Sequence, residues 1–207
     1  MKVEEIRFRK LRRRDRKALL EFAKKLTTEA KAHWGLLESA EDITRFIMRE
    51  RNGKKSSEKI IGLIGKEIVC YGKVRKYDYG INSYGYLEGI ITRTDLQNKG
   101  IGTALMLHLE KITEDKGCPY AKLEVFKENT HALQFYQNLG YKKRGQCFGS
   151  WYMRKALNPK KEIKMRMFKK IKYILSNLRK EISLYLYPDT IFVSPTDSKE
   201  PEPPTPE

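Results

Sequence analysis

Between Lys59 and Thr92 the apolar side chains of this chain stop recurring every third or fourth position and begin to recur every second one. No other feature constrains the fold as much. Before the change, Asp15 stands where it can cap a helix whose apolar face is Leu19, Phe22, Ala23 and Leu26. Ser39 opens a second helix, with Ile43, Phe46 and Ile47 on one face, and 3–9 reads as an opening strand. Within the alternating region, 59–64, 67–74 and 84–92 are predicted strands, parted by turn signals at Gly65-Lys66 and 78–83. A long helix is predicted over 100–117, then a strand over 121–126. Asn129 caps another helix, which Gly140 stops, and strands at 141–144 and 150–154 close the pattern. That order predicts a mixed α+β sheet, not a doubly wound one.

Charge divides the chain. Residues 158–207 hold ten basic and seven acidic side chains, net +3, so +14 of the chain's +17 lies on 1–157. Nine of those ten basic residues fall in 160–181, where Ile163, Met167, Ile171, Ile174, Leu178 and Ile182 recur at helical spacing. Six of the eight prolines lie at or beyond Pro188. The expected organisation is a folded domain over 1–157, a basic amphipathic helical extension over 158–187, and a largely disordered Pro- and acid-rich tail over 188–207. Three partners suit the extension: its own domain or a second subunit in a homodimer, an anionic membrane, or RNA such as the ribosome's.

Cys70, Cys118 and Cys147 are odd in number and far apart, and His33, His108 and His131 share no ligand spacing, so neither a disulfide framework nor a metal site is expected. The charged N-terminus and the lack of a long apolar run predict a cytoplasmic, reduced-thiol protein. A net charge this positive disfavours polycationic substrates, which it repels at long range.

The stretch that carries chemistry is Gln97-Asn98-Lys99-Gly100-Ile101-Gly102-Thr103, between a predicted strand and the long helix. Glycines at 100 and 102 let the backbone approach a bulky anion, and the first-turn amides point at its oxygens. Taken alone, Gly-x-Gly is equally a geometric strand-to-helix turn. A Walker loop is excluded, because no Gly-Lys-Ser/Thr follows four spacers. A dinucleotide fingerprint lacks its third glycine, since position 105 is Leu, although Glu124 falls about twenty residues on.

These residues resemble the Gln/Arg-x-x-Gly-x-Gly/Ala signature of the GNAT superfamily of acetyl-CoA-dependent N-acetyltransferases. A second block is similar too: Asn129-x-x-Ala132-x-x-Phe135-Tyr136-x-x-Leu139-Gly140-Tyr141. The resemblance covers about 3–157. It implies a splayed mixed sheet of about seven strands flanked by about four helices, with acetyl-CoA wedged between strands four and five. The pyrophosphate then lies on the amides of Gln97, Asn98, Lys99, Gly100, Ile101 and Gly102, beside Thr103. The pantetheine pairs with the backbone of Ile90, Ile91 and Thr92, and Asn129 contacts the cofactor. No metal is involved, and the acetyl group passes directly to an amine within a ternary complex.

The resemblance makes Tyr136 the acid that protonates the departing thiolate, a role a neutral phenol suits; helical spacing alone makes it a core residue. Glu88 is the one carboxylate of its strand and matches a water-linked general base, while its plainer reading is a solvated or Lys-paired carboxylate. Leu87-Glu88-Gly89 looks like the aminoglycoside 6′-acetyltransferase branch. Tyr86 and His33-Trp34 are the acceptor-side candidates. The need for a base depends on the amine: a lysine amine is roughly 0.04% neutral at pH 7, an α-amine roughly 10–15%. The competing reading is a non-catalytic acyl-CoA-binding module, tethered through its basic helix.

Overall fold

The computed structural model describes residues 6–27, 39–49, 57–78 and 83–158, with Met167, Lys170, Ile171, Leu175 and Ser176 beyond them. The chain divides into two compact units, Met1–Ile163 and Lys164–Glu207. Those five positions of the second unit are helical and exposed. The rest of the extension, the tail over 188–207 and the pair His33-Trp34 lie outside the described residues.

Seven strands make the sheet of the first unit: β1 (Arg7–Lys10), β2 (Ser57–Ile64), β3 (Glu67–Tyr77), β4 (Tyr84–Thr92), β5 (Tyr120–Phe126), β6 (Lys142–Cys147) and β7 (Ser150–Ala156). Their spatial order is β1-β2-β3-β4-β5-β7-β6. Every pairing is antiparallel except β4 with β5. Four α-helices are described: α1 (Arg16–Lys24), α2 (Ala40–Arg49), α3 (Ile101–Asp115) and α4 (Thr130–Asn138).

Alternation along the strands sends side chains to two cores. On one face, Leu19 and Phe22 of α1 and Ile43 and Ile47 of α2 pack with Ile61, Leu63, Tyr71 and Ile91. On the other, Leu105, Met106 and Leu109 of α3 pack with Cys70, Val74, Leu87, Leu123 and Val125. Close approach of α3 requires strand glycines: a Cβ on Gly85 would meet Thr113 Cγ2 at 2.3 Å, and one on Gly72 would meet Leu109 Cδ1 at 2.8 Å. His108 on this helix is half-buried and stacks on Phe8 at 4.7 Å.

Two local expectations need correction. Asp15 does not cap α1 with its side chain. Its carboxylate instead accepts from Arg12 N at 2.7 Å and from both terminal nitrogens of Arg9, at 2.7 and 2.8 Å. A buried carboxylate gains more from a bidentate guanidinium than from one amide. Phe46 belongs to no core: it is 48% exposed, on the flank of the stripe formed by the buried pair Ile43 and Ile47. Ser39 does cap α2, accepting from Asp42 N at 3.0 Å.

Candidate active site

The parallel strands β4 and β5 share only two register pairs, Gly85 with Ala121 and Tyr86 with Lys122. Beyond them both strands continue, to Thr92 and to Phe126, without pairing. A bulge marks the parting: between the pairs Tyr71–Ile91 and Lys73–Glu88, Gly72 of β3 opposes both Gly89 and Ile90. Gly89 takes φ +63°, the left-handed region that only glycine enters without strain. The gap is a cavity of about 700 Å³, within the range of small-molecule sites.

At one end of this cleft stands the loop into α3. The main chain turns through a 3-10 turn at Thr94–Leu96, then through left-handed residues Asn98 (φ 59°) and Gly100 (φ 78°). Among the described residues, the amides of 98–103 donate to no backbone carbonyl, which leaves a row of N–H groups at the start of a fifteen-residue helix. Arg93 secures the loop, donating to Asp95 at 2.7 and 3.0 Å and pairing with Glu67. Lys99 Nζ is folded onto the Asp95 carbonyl at 3.3 Å.

Whether this loop suits a diphosphate is tested at its glycines. Gly100 is required by its backbone angle. Gly102 is not required by packing: an added Cβ would lie 3.4 Å from Phe135 Cζ and 3.6 Å from Thr92 Oγ1, ordinary contacts. Its missing side chain therefore leaves room beside Thr92, and the loop fits an anionic ligand approaching the backbone. Ile90, Ile91, Thr92, Gln97 and Asn129 line the cavity, whereas the Ile101 side chain is buried in the core. Asn129 also caps α4, accepting from Ala132 N at 3.0 Å.

Tyr136 and Glu88 both line the cavity, one from α4 and one from β4. Tyr136 is only 9% exposed, and burial pushes its phenol up to about 12. Tyr141 meets its ring edge-on at 6.0 Å. Glu110 next to Tyr141 is itself buried and holds Lys155 Nζ at 2.7 Å. Glu88 is not a lone solvated carboxylate. Its Oε1 lies 3.0 Å from Lys73 Nζ and 3.1 Å from Arg75 Nη2, with Lys73 almost wholly buried.

Tyr86 is not on the cavity wall but reaches it through a partner, donating its hydroxyl to Glu124 Oε2 at 3.1 Å. That bond spans β4 and β5 where they separate. Burial, then the Glu124 charge, holds the Tyr86 phenol well above its ordinary range. Sequence reasoning missed Lys73, Glu124, Phe46 and Phe126 as cleft residues. The available signals were a lone lysine inside an apolar strand and exposed-phase positions on β5. Among the described residues no cluster of metal-ligating groups occurs, and no helix is long and apolar enough to cross a membrane.

The family model described as Acetyltransferase (GNAT) family matches residues 12–141. Two curated relatives are the uncharacterized proteins YxbD and YdhI of Bacillus subtilis. YxbD is 43% identical over 47 residues, 23% of this chain and 30% of its own length. YdhI is 33% identical over 125 residues, 58% of this chain and 69% of its own length. The chain thus spans less than a third of the first relative and about two thirds of the second. Among solved structures, the fold is similar to the PaiA N-acetyltransferase of Thermoplasma acidophilum in complex with coenzyme A. The TM-score is 0.55 at 20% identity, covering 73% of this chain and 98% of that one.

Proposed function

From a chain that belongs to the acetyltransferase (GNAT) family, we propose an enzyme that moves an acetyl group from acetyl-CoA directly to a primary amine. The observation that carries this reading is the parting of β4 from β5, because it opens one cleft lined by a buried phenol, a carboxylate and, at Thr94 and Gln97, the edge of the loop whose following amides are bare. In this reading the amides of 98–102 hold the diphosphate, with Lys99 and Thr103 beside it; Gln97, expected to join them, already donates its amide to the Thr94 carbonyl at 3.3 Å and contributes only to the cavity wall. The edge of Ile90, Ile91 and Thr92 that β5 leaves unpaired takes up the pantetheine, and Asn129 flanks it. Acetyl-CoA supplies the activated thioester.

The residues then divide the proton transfers. Tyr136 donates its proton as the thiolate departs; a phenol pushed up to about 12 still holds that proton throughout the working pH range. Glu88 takes the amine's proton through water. Lys73 and Arg75 fix the direction of its carboxylate. Tyr86 and the segment containing His33 and Trp34 belong to the acceptor side.

Calorimetry with coenzyme A, followed by transfer of labelled acetyl groups to an amine panel, tests the reading. Coenzyme A should bind, and Gly100→Asp or Gly102→Asp should abolish binding, because a carboxylate would stand where the diphosphate goes. Binding that survives either change would overturn the cofactor assignment. The double ion pair on Glu88 favours a second reading, an acyl-CoA-binding module in which that carboxylate is structural. Tight coenzyme A binding without turnover of any amine would select it. For Glu88 as base, Glu88→Gln should slow turnover most with amines of high pKa, which are least often neutral.

A further inference from the structure

We propose that the cleft selects an amine bearing one positive charge on an apolar body, and that Glu124 receives that charge; this rests on the acetyltransferase reading. The sheet face that carries Tyr71, Lys73 and Arg75 of β3 also carries Tyr86 and Glu88 of β4 and Glu124 and Phe126 of β5. The side-chain contacts Lys73–Glu88, Arg75–Glu88 and Tyr86–Glu124 establish this, and strand alternation adds Phe126. Two carboxylates therefore face the cleft, in unlike settings. Glu88 is met by two cations within 3.1 Å. Glu124 accepts a hydrogen bond from the neutral hydroxyl of Tyr86, and among the described residues no cation lies within ion-pair distance of it. An incoming ammonium is drawn to Glu124.

A second ammonium on the same molecule finds no such partner. Lys73 and Arg75 already balance Glu88. The net +14 of residues 1–157 repels polycations before they arrive. What the cleft offers instead is apolar area. Phe46 from α2 and Phe126 from β5 are 48% and 52% exposed and line the same cavity. Large apolar side chains kept in a cleft mark the place where a ligand buries its own apolar surface. Tyr86 is the positioning residue: its bond holds the Glu124 carboxylate at the point where the strands part.

The test uses the full-length protein with acetyl-CoA and three acceptors: 2-phenylethylamine, a tetrapeptide with N-terminal Phe, and spermidine. Either apolar amine should exceed spermidine in kcat/KM by about tenfold or more, and the better of the two identifies free amine or peptide terminus as the source. Glu124→Gln should raise the KM of that acceptor about tenfold, with Glu124→Asp recovering part of it and coenzyme A affinity unchanged. Tyr86→Phe should raise the same KM by less. Phe126→Ala should raise it for the apolar amine and not for spermidine. A preference for spermidine, or an acceptor KM indifferent to Glu124→Gln, would overturn the proposal while leaving the acetyltransferase reading standing. Failure to bind coenzyme A, or no turnover of any acceptor, would overturn both.

Discussion

Tyr136 and Asp15 are both buried polar residues, and their surroundings act on them in opposite senses. Burial raises the Tyr136 phenol to about 12, so it remains a proton donor at any ordinary pH. Tyr136→Phe should lower kcat about 10²-fold, a typical general-acid contribution, without changing coenzyme A affinity. The wild-type kcat profile should rise with pH and stay flat to about pH 10; a descending limb near pH 8 that the Phe variant removes would refute the assignment. Asp15 is held below the usual carboxylate range by its paired hydrogen bonds from Arg9. A depressed folded pKa contributes stability above the unfolded value and loses it as pH falls through the folded one. Asp15→Asn should therefore cost about 1.5–3 kcal/mol at pH 7, with the gap to wild type closing below about pH 4 in denaturant melts. Tyr136 was legible because its block fixes a helix and its phase. Lys73 was not, since a lysine within a strand reads as edge or solvent, and nothing local says that Glu88 stands across the ladder to meet it.

At the scale of elements, the helices and strands emerged close to their predicted limits where period and caps agreed. Gly117 and Gly140, both left-handed, end α3 and α4 as their positions imply. The bulge at Gly89 was illegible, because it depends on the register of β3 against β4 and not on either strand alone. Phe46 shows the limit of helical periodicity: it sits next to the buried stripe, but whether that flank is covered depends on the neighbouring cleft. The seat of α3 on the sheet is an element-scale property with a sharp test. Gly85→Ala would force its methyl against Thr113 at a separation no real Cβ shows. About 1–3 kcal/mol of stability should be lost, as for other overpacked cores. Adding Thr113→Ala should return part of it; a Gly85→Ala variant as stable as wild type would mean that the helix sits farther out.

For the whole molecule, every cavity-lining residue lies between Thr27 and Tyr136, within the unit Met1–Ile163. Removing 164–207 should therefore leave coenzyme A affinity within about threefold. The same deletion tests the extension: oligomer mass, RNA retention and liposome retention should reveal which one it serves, and no change in any of them would leave it without the expected partners. The architecture itself was readable from the order of periods, and the two motif blocks marked the loop and helix that the proposal gives to the cofactor. The proposed acceptor end was not readable, because its members come from β3, β4, β5 and α2 and meet only when the sheet forms.

A seven-stranded sheet with just two rungs between its fourth and fifth strands is, mechanically, two plates sewn along a short seam. Anything lodged between the free edges supplies the stitches that the chain omits. Ligand should thus report itself far from its own atoms: at 100 times its Kd, coenzyme A should add about 2.7 kcal/mol and lift the melting temperature by roughly 5–10 °C. Slowed amide exchange should be greatest along Ile90–Thr92 and 123–126, the two hems that gain a neighbour.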